Sequence, residues 1–448
     1  MTNGKSLSRD KIYSFPRGGI SFEDSSVPSR DSCVTAFLPS LSVISLLQHA
    51  GGKAYPIVTV GESVKEGMLV ARGRGPGSAN VHATVPGKVI RLTSWRTDSG
   101  QIQEGIVIRM EGSFEKLGKK EEIFPWEGMF PYDIQRTISD AGIVEMEGRG
   151  KPVSDLISAF RDVPEPVTLV IRCVFDDPWL ASDYVLCRER TQAIAEGAAI
   201  TARTCKVSRI IIAVSHREFE LGESLLAPAG RWGIPVSLVM VGSKYPQRNK
   251  RELELVLRHY GKKEGIELGS LLMLGPATLA AVYDAVKLKK PILERYITVG
   301  GSAIKQPQVL KVRIGTRLGD VFAECGGFKG TPGKIGMGSP LQGRTIDKLF
   351  EPVTKTCFAA FALLEESANG GPLYRSQEGC IGCGECRNVC PVGLDPEELY
   401  KRALMGGMPD GSQNFYPSEC HGCGCCDVVC PSGLQLSSRI SALALRRN

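Results

Sequence analysis

The sequence spells one dense cysteine pattern twice, and this pattern restricts the possible folds more than any other feature. The first copy, "CIGCGECRNVCP", occupies residues 380–391, and the second, "CHGCGCCDVVCP", occupies residues 420–431. In both copies four cysteines follow the spacing C-x2-C-x2-C-x3-C, and a proline comes next. Three cysteines at steps of three wrap a tight loop around one cubane cluster, and the fourth binds the neighbouring cluster in proteins with two clusters. The repeat therefore predicts two [4Fe–4S] clusters.

The same spacing rule predicts which cysteines share a cluster. The first cluster takes three cysteines of the first motif and the last of the second: Cys380, Cys383, Cys386 and Cys430. The second cluster takes the converse set: Cys420, Cys423, Cys426 and Cys390. Cys425 is predicted to be spare, because two adjacent residues do not easily face the same cluster. The six scattered cysteines are predicted to be small core residues: Cys33, Cys173, Cys187, Cys205, Cys325 and Cys357.

Zinc and disulfide bonds are the alternatives to iron–sulfur clusters. A structural zinc site needs four ligands, typically in two separated pairs, which leaves the third cysteine of each run and the Cys-Pro ending unexplained. The first residues, "MTNGKSLSRDKIYSF", contain no apolar stretch typical of a secretory signal. In a reducing compartment, densely spaced cysteines bind metal rather than form disulfides. Two adjacent clusters in turn predict electron transfer.

The segments after the two motifs predict helices. "LDPEELYKRALMGG" places Asp395 at the N-cap and Pro396 at the first helical position, with acidic residues in the first turn. A second amphipathic stretch, "LQLSSRISALALRR", follows the second motif. The order loop, helix, loop, helix indicates a ferredoxin-like α domain.

Length and composition indicate a globular protein of several domains. The 448 residues exceed what one core supports, and 42% of them are hydrophobic and 23% charged. The net charge of +7 suits an acidic partner or a membrane surface, but Lys and Arg form no stripe, so no nucleic acid is expected. The most apolar stretch, "LLMLGPATLAAVYDAV", contains Pro276 and Asp284 and is too short to span a bilayer. We expect neither a transmembrane segment nor a signal peptide.

The predicted fold class is multidomain α/β. Residues 58–90 alternate short β-rich runs with glycine turns, as in the barrel-sandwich fold of lipoyl and biotinyl domains. Residues 130–290 alternate apolar runs with helical stretches, as in a mostly parallel sheet flanked by helices. The predicted parts are an N-terminal segment (1–45), a barrel-sandwich β module (46–125), a Rossmann-like α/β core (126–293), a β-grasp-like module (294–350) and a C-terminal two-cluster ferredoxin-like α domain (371–448).

Two other activities are rejected on residue type. A swinging lipoyl or biotinyl carrier needs an acceptor lysine, and none lies between Met68 and Gly87. "GTPGKI", at residues 330–335, lacks the first glycine of a P-loop and the Ser or Thr required after Lys334. We therefore expect no ATP binding there.

Taken together, the modules resemble the C subunit of the Rnf complex, a membrane-bound, ion-translocating electron-transport assembly. They are more distantly similar to the flavin-bearing, NADH-oxidising subunit of respiratory complex I. Besides both cysteine motifs, the segments that carry the resemblance are "RGGISF" (17–22), "VGESVKEGMLVA" (60–71), "KYPQ" (244–247), "ERYITVGGSAIKQP" (294–307), "VRIGT" (312–316) and "CGGF" (325–328). The resemblance covers nearly the whole chain.

The resemblance implies a path for electrons and a location. Electrons would flow from NADH through a bound FMN and two [4Fe–4S] clusters toward the other subunits of an Rnf-like membrane complex. The chain would lie at the cytoplasmic face of the inner membrane, as a peripheral subunit. If the flavin site is lost, a soluble ferredoxin or flavodoxin is the expected donor.

The chain departs from the family at the flavin loop. The family's loop resembles G-I-V-G-x-G-G-A-G-F-P-T-H-x-K, whereas residues 142–156 read "GIVEMEGRGKPVSDL". Glu145 and Glu147 replace loop glycines, and Leu156 stands where a lysine is expected. Glycine lets backbone approach a phosphate, and a glutamate both blocks that approach and repels the anion. We predict that FMN and NADH binding, and with them the chain's own NADH dehydrogenase activity, are weakened or lost.

Two glycines of this loop remain as candidate flavin-binding positions, Gly148 and Gly150, and we interpret them as remnants of the fold. Two alternatives stay open from sequence. The chain is a complete NADH-oxidising FMN subunit with an altered loop, or it is a structural adaptor whose clusters carry no current.

Overall fold

The computed structural model describes residues 11–22, 28–97, 100–115, 117–365, 379–405 and 416–445. The predicted start of the C-terminal domain at residue 371 lies outside them. The N-terminal segment contains two strands, β1 (Cys33–Thr35) and β2 (Leu41–Ser45). Before these, Tyr13 forms a bridge with Val241, and Ile20 forms one with Tyr245. The segment therefore contacts parts of the chain that are distant in sequence.

The next part of the chain folds into two antiparallel sheets. Their remaining strands are β3 (Tyr55–Pro56), β4 (Ser63–Val64), β5 (Leu69–Arg72), β6 (Val81–His82), β7 (Gly87–Arg96) and β8 (Ile102–Met110). One sheet has the order β2-β8-β7-β4 and the other β3-β5-β6. Buried aliphatic residues such as Ile44, Val70 and Ile106 form one core between the sheets. Strand β2 belongs to this unit, although it lies before the boundary predicted at residue 46.

A four-stranded parallel sheet surrounded by helices forms the α/β unit. Its strands are β9 (Val167–Cys173), β10 (Val207–Ser215), β11 (Val236–Val241) and β12 (Ser270–Leu274). Its helices are α1 (Pro131–Asp140), α2 (Val153–Arg161), α3 (Ser182–Glu189), α4 (Thr191–Cys205), α5 (Phe219–Gly230), α6 (Lys250–Glu264) and α7 (Pro276–Lys287). Every residue of β9 is buried, as expected of a central parallel strand covered on both faces.

The order of the parallel strands creates a crevice at one edge of the sheet. The strand order is β11-β10-β9-β12. After β9 the chain adds β10 and β11 on one side of it, and it then crosses back to add β12 on the other side of β9. Ligands of open α/β sheets bind outside the carboxyl ends of the strands at such a reversal. Here that position lies between the ends of β9 and β12, next to the start of α7.

A six-stranded mixed sheet follows. Its elements are β13 (Glu294–Gly300), β14 (Gln308–Arg313), α8 (Leu318–Glu324), β15 (Pro332–Met337), β16 (Arg344–Thr345) and β17 (Ala359–Leu364). The order is β1-β14-β13-β17-β15-β16, with β1 parallel to β14. Strand β17 lies beyond residue 350, where the predicted module ends. The last four residues of "GTPGKI" belong to strand β15.

In the described residues of the C-terminal part, the α-helices are α9 (Glu385–Asn388), α10 (Pro396–Leu404), α11 (Cys425–Val428) and α12 (Leu436–Leu445). The predicted cap of α10 is confirmed, because the Asp395 side chain accepts a hydrogen bond from the Glu398 backbone N–H. Leu399, Leu436 and Ile440 form the small core between the two long helices. Of the described helices, none has the length and apolar character needed to cross a membrane.

The scattered cysteines follow the prediction with one exception. Cys33 is only half-buried, because β1 lies at the edge of its sheet, whereas the other five are buried. All the described cysteines have free thiols.

Lys355 is a buried cation that joins three parts of the chain. Its Nζ donates hydrogen bonds to the Asn80 carbonyl at 2.7 Å and to the Gly142 carbonyl at 2.8 Å. Asn80 belongs to the two-sheet unit and Gly142 to the turn after α1. Burial lowers the pKa of Lys355 to about 7.

This lowered pKa predicts a pH-dependent stability. Between pH 7 and about pH 10 the unfolded chain holds a proton that folded Lys355 releases, so stability rises with pH. The contribution is at most about 1.4 kcal/mol per pH unit. We expect the urea midpoint of the anaerobic protein to rise from pH 7 to about pH 8.5, because above that pH the thiols of the unfolded chain ionise while buried thiols such as Cys325 and Cys357 stay protonated, which opposes the rise. In Lys355→Met this rise should be smaller; parallel curves for the two proteins would contradict the prediction.

Candidate iron–sulfur centres

The structure brings the eight predicted cysteines together around two cavities. The first cavity is lined by Cys380, Cys383, Cys386 and Cys430. The second cavity is lined by Cys390, Cys420, Cys423 and Cys426. Each set combines three cysteines of one motif with the last cysteine of the other.

The repeated glycines explain why both motifs form the same loop. Gly382 and Gly384 have φ of +69° and +78°, and Gly422 and Gly424 have +64° and +77°. Only glycine adopts this backbone conformation at little cost. In each motif the second of these glycines precedes a short helix that carries the third cysteine, α9 or α11. The spelling C-x-G-C-G therefore encodes the loop that turns three thiols toward one cavity.

The donor set fits an iron–sulfur cluster. Four thiols surround each cavity, and four cysteine thiolates are the donor set of a cubane cluster. Burial raises the pKa of the Cys386 thiol and of the Cys420 thiol to about 11. Cluster ligands are thiolates, so cluster binding must supply the free energy that deprotonating these buried thiols requires.

Two further groups contact sulfurs of the predicted ligands, and sequence reasoning missed both contacts. The Leu394 backbone N–H donates to the Cys390 Sγ at 3.3 Å. Cys425, predicted to be spare, is fully buried and lines the second cavity. Its thiol contacts Cys423 and lowers the pKa of that ligand. Hydrogen bonds to cluster sulfurs tune reduction potentials, so both groups would affect the reduction potential of a cluster in the second cavity.

The second cavity adjoins the α/β unit. The Tyr245 Oη donates to the Cys423 carbonyl at 2.6 Å. The Asn249 side-chain amide lies 2.9 Å from the His421 Nδ1, and the His421 Nε2 lies 3.1 Å from the buried Glu252 carboxylate. These contacts hold the loop of the second motif against the start of α6. Tyr245 lies in "KYPQ", one of the segments that carried the resemblance.

The N-terminal segment contacts the end of the first motif. The Gly19 backbone N–H donates to the Val389 carbonyl at 2.8 Å. Gly18 has φ of +63°, and a Cβ placed there would lie 2.6 Å from the carbonyl carbon of Cys390. The backbone of "RGGISF" therefore packs directly on the end of the first motif.

The first cavity faces away from these contacts. Cys383 is exposed, and Ile381 between the first two cysteines is 65% exposed. A Cβ added at Gly379 or Gly384 would meet no atom within 4 Å. Within the described residues, the loop of the first motif is thus the open side of the domain.

The crevice at the carboxyl ends of β9 and β12 is where open α/β sheets of this kind bind nucleotides. The Glu147 carboxylate accepts hydrogen bonds there from the Thr278 backbone N–H at 3.0 Å and from the Thr278 hydroxyl at 2.5 Å. A Cβ at Gly275 would lie 2.3 Å from the Glu147 carboxyl carbon. The side chain of Glu147 therefore lies directly on the N-terminus of α7.

The other flavin-loop residues are also engaged within the chain. The buried Glu145 carboxylate lies 2.6 Å from the Lys250 Nζ. A Cβ added at Gly148 would lie 2.7 Å from the carboxyl carbon of Glu145. Gly150 accepts a hydrogen bond from the Ala50 backbone N–H at 3.0 Å. The two candidate flavin positions thus pack against Glu145 and against the two-sheet unit. With two carboxylates in the loop, the residues do not fit a flavin phosphate.

Comparison with known protein families assigns the parts of the chain. The RnfC barrel sandwich hybrid domain matches residues 14–113, and the Nuo51 FMN-binding domain matches residues 138–283. The SLBB domain matches residues 296–343, and the 4Fe-4S dicluster domain matches residues 372–431. The chain is thus a mixed α/β multidomain protein with these domains in order.

Similar proteins cover most of the chain. The C subunit of the ion-translocating oxidoreductase complex of Rhodobacter capsulatus is 32% identical over 398 residues, which span 88% of this chain and 75% of that protein. The C subunit of the proton-translocating ferredoxin:NAD(+) oxidoreductase complex of Clostridium ljungdahlii is 28% identical, covering 86% and 83%. The Na(+)-translocating counterpart of Acetobacterium woodii is 27% identical, covering 80% of each chain.

The fold, the cysteine-lined cavities and the dicluster match define a multidomain iron–sulfur protein that carries two [4Fe–4S] clusters. The extent of similarity to the Rhodobacter protein then gives the family. The chain belongs to the family of C subunits of ion-translocating oxidoreductase complexes.

Proposed function

We propose that this chain passes single electrons through its two [4Fe–4S] clusters as a subunit of an Rnf-like ion-translocating oxidoreductase complex. The observation that carries the proposal is the crosswise grouping of eight cysteines around two cavities of one small domain. Paired cubane clusters with thiolate ligands are redox centres. We propose Cys380, Cys383, Cys386 and Cys430 as ligands of the first cluster, and Cys390, Cys420, Cys423 and Cys426 as ligands of the second.

The two clusters occupy different places in this proposal. The second cluster is the inner one, because Tyr245 and the Asn249–His421 pair hold its loop on the α/β unit. The first cluster is the outer one, since Ile381 and Cys383 of its loop are exposed. A partner protein therefore exchanges electrons with the chain at the first cluster.

The partners and location follow from the family. The relatives are named as subunits of ion-translocating complexes, so we propose other subunits of such a complex as partners. A soluble ferredoxin or flavodoxin is the proposed donor or acceptor outside the complex. The place of the chain is at the cytoplasmic face of the inner membrane, where its net charge of +7 favours an acidic surface.

Finer assignments of the fold belong to the same proposal. The parallel order β11-β10-β9-β12 supports a Rossmann-like core at residues 126–293. The mixed sheet around α8 supports a β-grasp-like module that begins at 294 and, with β17, extends past its predicted end at 350. The loop–helix repeat supports a ferredoxin-like domain at 371–448. The barrel-sandwich module predicted at 46–125 also takes in β2, which shortens the N-terminal segment predicted at 1–45.

One observation favours a second candidate function. The Nuo51 FMN-binding domain matches residues 138–283, which suits a complete NADH-oxidising FMN subunit. In that case the purified chain retains flavin and its clusters are reduced by NADH.

One anaerobic preparation tests these functions together. We expect about eight iron atoms and eight sulfides per chain, and two clusters that change state in a redox titration followed by electron paramagnetic resonance. Rapid reduction by NADH through bound flavin would select the second candidate. Clusters that never change state would indicate a structural adaptor, and a colourless, zinc-loaded chain would overturn the proposal.

A further inference from the structure

The start of α7 is the place in this fold where a phosphate is expected. It follows β12 at the point where the strand order reverses next to β9. Nucleotides bind in that crevice, and helix N-termini attract phosphate through free backbone N–H groups and the helix dipole. The matching FMN-binding domain covers both β9 and the first part of α7, up to residue 283.

In this chain Thr278, in the first turn of α7, is already hydrogen-bonded. The Thr278 N–H and hydroxyl both donate to the Glu147 carboxylate, and the Thr278 hydroxyl accepts from the Met146 N–H at 2.9 Å. The position of Glu147 so close to Gly275 leaves no room for a second anion at the same N–H groups. A negative side chain has thus taken the position that a phosphate would occupy.

Charge near the turn adds to the effect. The buried Glu145 carboxylate lies two residues before Glu147, and its nearest cation, Lys250, is committed to it at 2.6 Å. A flavin phosphate would bring a further negative charge next to two carboxylates in a partly buried crevice. The buried Arg172 guanidinium, 3.5 Å from the Glu147 carbonyl oxygen, offsets part of this charge, so the inference rests first on the occupied Thr278 N–H and on the position of Glu147.

We infer that Glu147 is the resident anion of the nucleotide crevice, and that this chain has exchanged a cofactor phosphate for its own carboxylate. The inference rests on the proposed function, because it names the class of donor for the same clusters. A hydride carrier delivers two electrons at once and needs a flavin or a similar group to accept them. Without one, the two clusters exchange electrons singly with one-electron protein carriers.

Phosphate rescue tests the inference directly. Thermal unfolding of the anaerobic holoprotein is followed by tryptophan fluorescence, since Trp126 and Trp232 lie in contact in the α/β unit, with ring centroids 4.8 Å apart. Glu147→Ala should lower Tm by about 2–4 °C relative to the wild-type chain. About 100 mM phosphate should restore most of this loss, because the anion binds the vacated N-terminus of α7 in the folded state only. Chloride at equal ionic strength should not.

A matched control removes a carboxylate that does not lie at the N-terminus of a helix. Glu62 accepts a hydrogen bond from the Thr59 backbone N–H in a turn of the two-sheet unit. Glu62→Ala should lose stability without specific recovery in phosphate. If Glu147→Ala fails to fold, Glu147→Gln keeps an acceptor oxygen, and we expect a smaller loss with a weaker phosphate response.

The outcomes separate this inference from the proposed function. Wild-type protein free of FMN, with a Tm insensitive to phosphate, supports the inference. Stoichiometric FMN in the wild-type protein overturns it, as does a Glu147→Ala response to phosphate no larger than that of Glu62→Ala. In either case, clusters that still change state in the redox titration leave the proposed function intact.

Discussion

Serine in place of Cys390 is expected to empty the second cavity, although Cys390 belongs to the first motif. The structure places its thiol beside Cys420, Cys423 and Cys426, so its loss removes one of the four proposed ligands of that cluster. Iron should fall from about eight to about four atoms per chain, measured on anaerobically reconstituted protein. The surviving electron paramagnetic resonance signal should be that of the first cluster.

The reciprocal variant identifies which signal is lost. Cys430→Ser removes a ligand of the first cavity and should abolish the other signal. Cys33→Ser, at a half-buried thiol outside the motifs, should leave iron content unchanged. If Cys390→Ser abolishes the same signal as Cys430→Ser, or the same signal as Cys383→Ser, whose thiol lines only the first cavity, the crosswise ligand sets are wrong.

Alanine at Gly18 is expected to loosen the dicluster domain from the rest of the protein. Its Cβ would lie 2.6 Å from the carbonyl carbon and oxygen of Cys390, a contact with backbone that cannot rotate away. The added methyl group must separate "RGGISF" from the first motif and weaken the hydrogen bond from Gly19 to Val389. We expect the second cluster, whose proposed ligands include Cys390, to degrade several-fold faster in air. Loss of visible absorbance under controlled oxygen measures this rate.

The backbone conformation at Gly18 requires its own control. Gly233 has a similar φ of +73°, but a Cβ there meets no atom within 4 Å. Both alanine variants pay about 1–2 kcal/mol for the left-handed conformation, and only Gly18→Ala adds the clash. Equal rates of cluster loss in the two variants would show that strain alone explains the result.

Local features of the C-terminal part could be predicted from sequence. The spacing of the cysteines, the glycines between them and the capping residue Asp395 act within a few residues of each other, and their effects do not depend on the rest of the chain. The parallel strands were predictable for a similar reason, since β9 is one continuous apolar run. The ligand sets themselves remain predictions.

Contacts between distant segments could not be predicted. Tyr245 contacts Cys423, and Gly18 packs on Cys390, yet no periodicity or spacing in the sequence relates these residues. The sequence predicted that Glu147 disfavours a phosphate. It could not predict where the Glu147 side chain points, because that depends on how the loop packs against α7. Lys355 is a similar case, because its partners Asn80 and Gly142 are far away in the chain.

Strand β1 pairs with β14, although the ribosome makes it long before that partner. At a synthesis rate of about 5–20 residues per second, β1 stays unpaired for on the order of tens of seconds before Gln308–Arg313 is made. During synthesis the growing chain therefore exposes an unpaired strand, which is a site for chaperones and for aggregation. Slower translation or excess chaperone should change the yield of this protein more than that of one whose strands pair in order.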